Sequence, residues 1–343
     1  MFLEFFGLRE QPFGVTPDPR FLYLSPAHRE ALASLYYGIE SGRGFLALIA
    51  KPGMGKTTLL FHLLEKFRHT ARTAFLFQTQ CTSREFMRFL MAELGYETVD
   101  QDFVHMHEKF NQYLLQEARA GKGFIVVVDE AQNLDASVLE TIRLLSDFET
   151  PRAKLLQIVL AGQPELADKL ASRKLSQLRQ RVSLLSALHP LSKEETQRYI
   201  QHRLKVAGYS GTPLFTNDAM VTIASFTEGI PRNVNNFCFN ALSLACALRQ
   251  QVVDSAIVKE VIADLDITPL LSETWNPERV SSYSEEGNGF EEHVRQMELH
   301  RQNKIKMEPV PAGPSRTAND ATLTPSEAKA YLEQVAKSLK QWQ

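Results

Sequence analysis

No stretch of this sequence approaches the ~20 consecutive apolar residues that a membrane-spanning helix needs, so no span is expected. Neither sign of charge is in excess. The 38 Lys and Arg stand against 40 Asp and Glu, a formal net charge of −2, so bulk electrostatics favour neither nucleic acid nor an anionic membrane. Cysteine is scarce. Cys81, Cys238 and Cys246 are unevenly spaced and lie mostly in apolar segments, which argues against a disulfide framework or a thiolate metal site. They read as small core residues of a reducing compartment. The amino terminus, Met1-Phe2-Leu3-Glu4-Phe5-Phe6, carries an acid where a signal peptide needs basic residues, and Arg9 and Glu10 cut its apolar run short. A cytoplasmic location is therefore expected, with any inner-membrane association made through partners. Internal repeats are also lacking.

Against this plain background, Ala50-Lys51-Pro52-Gly53-Met54-Gly55-Lys56-Thr57-Thr58 stands out. It follows the apolar run Phe45 to Ile49 and leads into an apolar-periodic segment from Leu59. A strand, a glycine-containing loop closing on Lys-Thr, then a helix is the order that a phosphate-binding P-loop needs. In the loop that Pro52 opens, successive backbone N–H groups from Gly53 through Met54, Gly55, Lys56 and Thr57 to Thr58, backed by the positive end of the following helix, suit an anionic triphosphate. Lys56 is expected to reach its β- and γ-phosphates, and the Thr57 hydroxyl to hold Mg²⁺. One departure is visible: Ala50 stands where the G-x-x-x-x-G-K-[ST] pattern has its first glycine.

A second motif supports the first. Phe124-Ile125-Val126-Val127-Val128 reads as a buried parallel strand, and it ends in Asp129-Glu130-Ala131-Gln132. Carboxylates at the C-terminal end of such a strand sit where open α/β sheets place their ligands. Asp129 suits a direct or water-mediated Mg²⁺ contact, and Glu130 suits orienting and polarising an attacking water. Two solvated acids closing a strand would mean little alone. Paired with the loop at Gly53–Thr58, they point to ATP or GTP.

Residues 1–25 are rich in aromatics and prolines and are expected to form an extended arm whose rings bury against the body of the protein. Ser25-Pro26 looks like a helix N-cap with proline at the first helical position, opening a helix through Tyr37. After the P-loop helix, strands are expected at Thr73–Thr79 and Leu155–Ala161. Helical periodicity covers segments near 83–94 and 104–119, and Ser137 to Phe148. The alternation across 26–190 predicts an α/β domain with a parallel sheet and helices on both faces. From 191 to 267 the pattern becomes all-helical, with segments near 192–207, 216–227, 231–249 and 252–265. Residues 268–323 turn polar and proline-containing and read as a linker. Within 324–343, Thr324-Pro325-Ser326-Glu327 is a capping box. Leu332, Val335, Leu339 and Trp342 then line one helical face, fit either to pack back on the protein or to tether a partner.

Three further positions suit the nucleotide. Gln163 closes the strand 155–161 region and is placed to sense the γ-phosphate from between the two motifs. Arg173-Lys174-Leu175-Ser176-Gln177-Leu178-Arg179-Gln180-Arg181 is basic without an acid. Arg179 or Arg181 suits the γ-phosphate of a neighbouring subunit, where an arginine stabilises charge in phosphoryl transfer. A basic surface loop and a nucleic-acid backbone contact remain the alternatives. Arg232 follows Gly229-Ile230-Pro231 in a first helical turn, a poor place for a cation beside the helix dipole unless it serves an anion.

Taken together, these residues resemble the AAA+ ATPases, in the branch of the general secretion pathway protein A (ExeA/GspA) type and the ATPases of exosortase and exopolysaccharide loci. The resemblance covers about residues 1–267. It rests on Pro12-Phe13, Pro17-Asp18-Pro19-Arg20-Phe21-Leu22-Tyr23-Leu24-Ser25, His28-Arg29-Glu30-Ala31-Leu32 and Asp129-Glu130-Ala131-Gln132. Gly162-Gln163-Pro164-Glu165-Leu166, Leu178-Arg179-Gln180-Arg181 and Gly229-Ile230-Pro231-Arg232 complete it. It implies a P-loop AAA+ core, a three-layer αβα sandwich, followed by a small helical lid domain and a largely irregular tail. It further implies that Gln163 is sensor 1 and Arg232 sensor 2, that Arg179 or Arg181 is the trans arginine, and that the aromatic arm helps to enclose adenine. ATP, Mg²⁺ and a homo-oligomer follow, with partners in secretion or envelope-polysaccharide machinery. The longer secretion members continue into a membrane span and a peptidoglycan-binding domain, neither of which is recognisable here, so the shorter ATPases are the nearer expectation. The same core is similar to transposition ATPases of the TniB/MuB type, which makes a DNA-binding regulator the rival reading. A slowly hydrolysing nucleotide-dependent scaffold, suggested by Ala50, is a third.

Overall fold

The computed structural model describes residues 2–77, 80–97, 102–151 and 153–265. The expected linker and C-terminal helix (268–323 and 324–343) lie outside the described residues, as does the Thr79 end of the expected second strand.

In chain order the elements are α1 (Phe2–Phe6), α2 (Pro26–Glu40), β1 (Phe45–Ile49), α3 (Lys56–Phe67), β2 (Ala71–Leu76), α4 (Ser83–Glu93), α5 (Phe103–Arg119) and β3 (Gly123–Val128). Then come α6 (Ala136–Leu145), β4 (Gln157–Gly162), α7 (Pro164–Ala171), α8 (Ser176–Arg181) and β5 (Leu184–Ala187). The described chain closes with α9 (Lys193–Val206), α10 (Asn217–Phe226), α11 (Pro231–Ala247) and α12 (Ser255–Leu265). The five strands form one sheet in the order β2-β3-β4-β1-β5, and every pairing is parallel.

Period-two alternation builds the layers. Phe45, Ala47, Phe124, Val126, Ile158 and Leu160 face a core completed by α4 to α8. Their neighbours Leu46, Leu48, Ile125, Val127, Val159 and Ala161 face the opposite core, which α2 and α3 cover with Leu35, Leu59, Leu60 and Leu63. Strands buried on both faces read as continuous apolar runs, which is how β1 and β3 appear in the sequence. β5 is four residues long with Leu185 exposed, a pattern too short and mixed to stand out.

The arm differs from the extended form expected for it. Residues 2–6 contain no proline and wind into α1, and Asp18 caps a 3-10 turn at Pro19–Phe21. Phe6, Phe13 and Phe21 bury in a third core, shared with α9 to α12. The Phe2 and Phe239 rings meet edge to face at 5.8 Å. Helix starts follow their caps: Ser25 holds the N–H of His28, and Thr82–Glu85 and Ser192–Glu195 each form a reciprocal capping box. Among the described residues no helix is long and apolar enough to cross a membrane.

Candidate functional site

The C-terminal ends of β1, β3 and β4 open onto a cavity of about 370 Å³. It is lined by the loop Pro52–Thr58, by Glu130 and Gln163, by the arm from Gly14 to Asp18, and by Tyr199, Arg203, Pro231, Arg232 and Asn235. The loop turns through left-handed backbone at Gly53 (φ 79°) and Gly55 (φ 85°), conformations that glycine adopts without a side-chain penalty. Gly53 is also pressed against α11: a Cβ there would lie 2.7 Å from Cβ of Arg232. Ala50, by contrast, lies outside the left-handed region, with its methyl buried in the α2–α3 core and its N–H bonded to Gly162 O at 3.0 Å. The position that departs from the glycine pattern is one where the backbone asks for no glycine.

Lys56 opens α3 and is buried. Its ammonium donates to Ala50 O at 3.2 Å and lies 3.9 Å from Glu130 Oε1, so in this structure it points across the loop. The Thr57 hydroxyl donates to Asp129 Oδ2 at 2.6 Å, and the other Asp129 oxygen accepts the Glu130 N–H. Glu130 has φ 52°, rare for a residue with a side chain, and that turn aims its carboxylate back over the sheet edge. Its Oε2 accepts from Gln132 Nε2 at 2.6 Å and from Gln163 Nε2 at 3.0 Å. Partial burial pushes the carboxyl up, but these two amide bonds, with the charges of Lys56 and Arg232, hold it below the ordinary carboxylate value.

Arg232 sits in the first turn of α11, exposed on the cavity wall, and its backbone N–H donates to Gly53 O at 3.1 Å. Arg179 and Arg181 lie elsewhere. Both are on α8, outside the cavity wall. Arg179 Nη1 reaches Ala171 O at 3.4 Å, and Arg181 Nη2 pairs with Asp147 Oδ1 at 2.6 Å. The structure thus brings together every sequence-selected residue except this arginine pair.

Some cavity residues were not singled out as chemical groups from the sequence. Arg203 is buried on α9. It donates through Nε to Pro12 O and through Nη1 to the Tyr199 hydroxyl at 3.0 Å, with its guanidinium 4.7 Å from the Phe21 ring centre. Tyr199 donates in turn to Asn235 Oδ1 at 2.8 Å, tying the arm, α9 and α11 together. A buried arginine one turn after a buried tyrosine was the available signal. His28 is buried behind the loop, between Ser25 Oγ at 2.8 Å and Met54 O at 3.0 Å. A carbonyl only accepts, so His28 Nε2 carries the proton and Nδ1 accepts from Ser25. Burial lowers its pKa against the opposing pull of the Met54 carbonyl, keeping the ring neutral.

Thr57 and Asp129 offer two adjacent hard oxygens. Among the described residues no cluster of three or more His, Cys, Asp or Glu would cage a metal by itself. That sparse donor set fits Mg²⁺, which takes one or two protein oxygens and completes its shell with water and phosphate.

Comparison with known proteins agrees with this architecture. An AAA domain family matches residues 39–170. General secretion pathway protein A of Aeromonas hydrophila is 41% identical over 249 residues, which are 72% of this chain and 45% of the relative. An uncharacterized HTH-type transcriptional regulator of Methanocaldococcus jannaschii is 26% identical over 70% of this chain and 66% of its own length. The chain therefore spans under half of the first relative and about two thirds of the second. Among solved structures, the Aeropyrum pernix ORC2 protein superposes with a TM-score of 0.60 at 15% identity, covering 75% of this chain and 72% of its own. At that identity the likeness is one of fold.

Proposed function

Since this chain belongs to the AAA+ ATPases of the general secretion pathway protein A type, we propose that it binds ATP with Mg²⁺ in this cavity and hydrolyses it. We further propose that it works as an oligomeric switch for secretion or envelope-polysaccharide assembly. The observation that carries the reading is convergence: the loop, Thr57 with Asp129 bonded behind it, Glu130 and Arg232 all meet at one cavity.

In this reading the N–H groups of Gly53 to Thr58 and the start of α3 cradle the phosphates, with Lys56 supplying the compensating charge. Thr57 and Asp129 would hold Mg²⁺, which when bound neutralises phosphate charge. Glu130, kept ionised, orients and polarises water for in-line attack on the γ-phosphate. Gln163 and Arg232 sense that phosphate, while Gly14–Asp18 of the arm with Tyr199 and Asn235 border the space for the base. Arg179 or Arg181 acts on the site of a neighbouring copy, which accounts for both lying off the cavity wall of their own. Residues 191–267 act as the lid, and loss of the γ-phosphate alters their hold on the loop.

The test is steady-state ATP hydrolysis against protein concentration, with and without duplex DNA, beside Glu130→Gln. Specific activity is expected to rise with concentration, to ignore DNA and to vanish in the variant. Strong DNA stimulation, fading as salt rises, would favour instead a DNA-binding regulator using the basic run Arg173–Arg181.

A further inference from the structure

We propose that Gln132 is a positioning residue for hydrolysis, one that locks Glu130 and Gln163 into a single unit and is itself held in place by Lys169 from behind. This rests on the ATPase reading above and adds to it a residue that the P-loop and carboxylate motifs do not require.

The geometry is closed on three sides. Gln132 Nε2 donates to Glu130 Oε2 at 2.6 Å, and Gln132 Oε1 accepts the backbone N–H of Gln163 at 3.0 Å. Gln163 Nε2 completes the ring by donating to the same Glu130 oxygen at 3.0 Å. The orientation of the Gln132 amide is fixed by chemistry, because a carboxylate needs a donor and a backbone N–H needs an acceptor. One side chain thus joins the end of β3 to the end of β4, two strands carrying different parts of the proposed machinery. It leaves Glu130 Oε1, the oxygen nearer Lys56, free of the amide bonds.

Two observations show that this side chain has been given room and support. Gly162 ends β4 beside it, and a Cβ there would stand 2.9 Å from Gln132 Oε1 and 2.7 Å from a Leu166 methyl. Only glycine lets the amide pass. From the other side, the Lys169 ammonium on α7 donates to Gln132 O and, at 3.0 Å, to Leu134 O. It pins the 3-10 turn Ala131–Asn133 from which Gln132 projects. The consequence is functional rather than architectural. Without the Gln132 amide, Glu130 keeps one of two donors and its rotamer is less restricted, so the carboxylate is held less firmly over the cavity.

The test measures kcat and KM for ATP and nucleotide Kd by titration in wild type, Gln132→Ala, Gln132→Met and Lys169→Met. Gln132→Met keeps the length of the side chain and adds no charge, but loses both the donor to Glu130 and the acceptor for the Gln163 N–H. A lost hydrogen bond to a charged group implies a fall in kcat of about 10- to 100-fold in both Gln132 variants. Nucleotide Kd should stay within about threefold, so that the loss falls on kcat and not on binding. Lys169→Met should show the same pattern more weakly. Wild-type kcat in a folded Gln132→Met protein would overturn the proposal while leaving the ATPase reading intact. A parallel loss of Kd and kcat would also overturn it, marking Gln132 as purely structural. An inactive wild type would remove the ATPase reading, and this proposal with it.

Discussion

His28 is the residue whose contribution is easiest to underrate. It touches no predicted ligand atom, yet it links the cap of α2 to the carbonyl of Met54 at the crown of the phosphate loop. Replacing it by alanine leaves that buried carbonyl without a partner and opens space behind the loop. His28→Ala is expected to destabilise the fold by about 1–3 kcal/mol, the cost of an orphaned buried polar group. It should also weaken ATP binding, read by denaturant unfolding and nucleotide titration. An unchanged affinity would mean that the loop holds its shape unaided. At this scale the sequence was legible where function is local: Gly53 to Thr58 and Asp129-Glu130 sit within short motifs with their neighbours beside them. It was opaque where partners are distant. The Arg203 bond to Pro12 O spans 191 residues, and nothing local to either end announces the other.

Among the elements, α8 poses the clearest question. Arg181 is held on its own subunit by Asp147, which also faces Arg143 at 3.5 Å, whereas Arg179 makes a long bond to the Ala171 carbonyl. If either serves a neighbour's nucleotide, activity becomes a property of pairs. Arg179→Ala or Arg181→Ala, whichever is inactive alone, is expected to recover hydrolysis when mixed with inactive Glu130→Gln. One copy then supplies the carboxylate and the other the arginine. Failure of every mixture, with each variant still binding ATP, would place the arginines in a structural or nucleic-acid role. The elements were readable where a strand is buried on both faces, as in β1 and β3, or where a long helix repeats one buried face, as α5 does with Met106, Phe110 and Leu114. They were misread where a short run obeys packing instead, as α1 does when its rings dock on α11.

For the whole molecule, the three-layer architecture followed from the alternation of strands and helices, because a parallel sheet needs helices on both faces to bury it. What the pattern did not convey is how the described chain stores acid sensitivity. Burial lowers the pKa of His28, His62, His107 and His202 from 6.5, the largest influence in each case. The unfolded chain therefore binds more protons than the folded one as pH drops below about 6.5, so stability rises with pH across that window and falls on acidification. The midpoint of urea unfolding is expected to decline steadily from pH 7 to pH 5. A flat profile would show that these rings are open to solvent.

The bond from Arg232 N–H to Gly53 O has a consequence of another kind. It is made by main-chain atoms at both ends, so if α11 acts as a lever, its fulcrum survives the truncation of any side chain on the helix. Alanine scanning of α11 would alter what the lever carries and leave its pivot intact. An edit to the main chain at that bond, such as an ester in place of the Arg232 amide, would separate the motion of the helix from that of the loop.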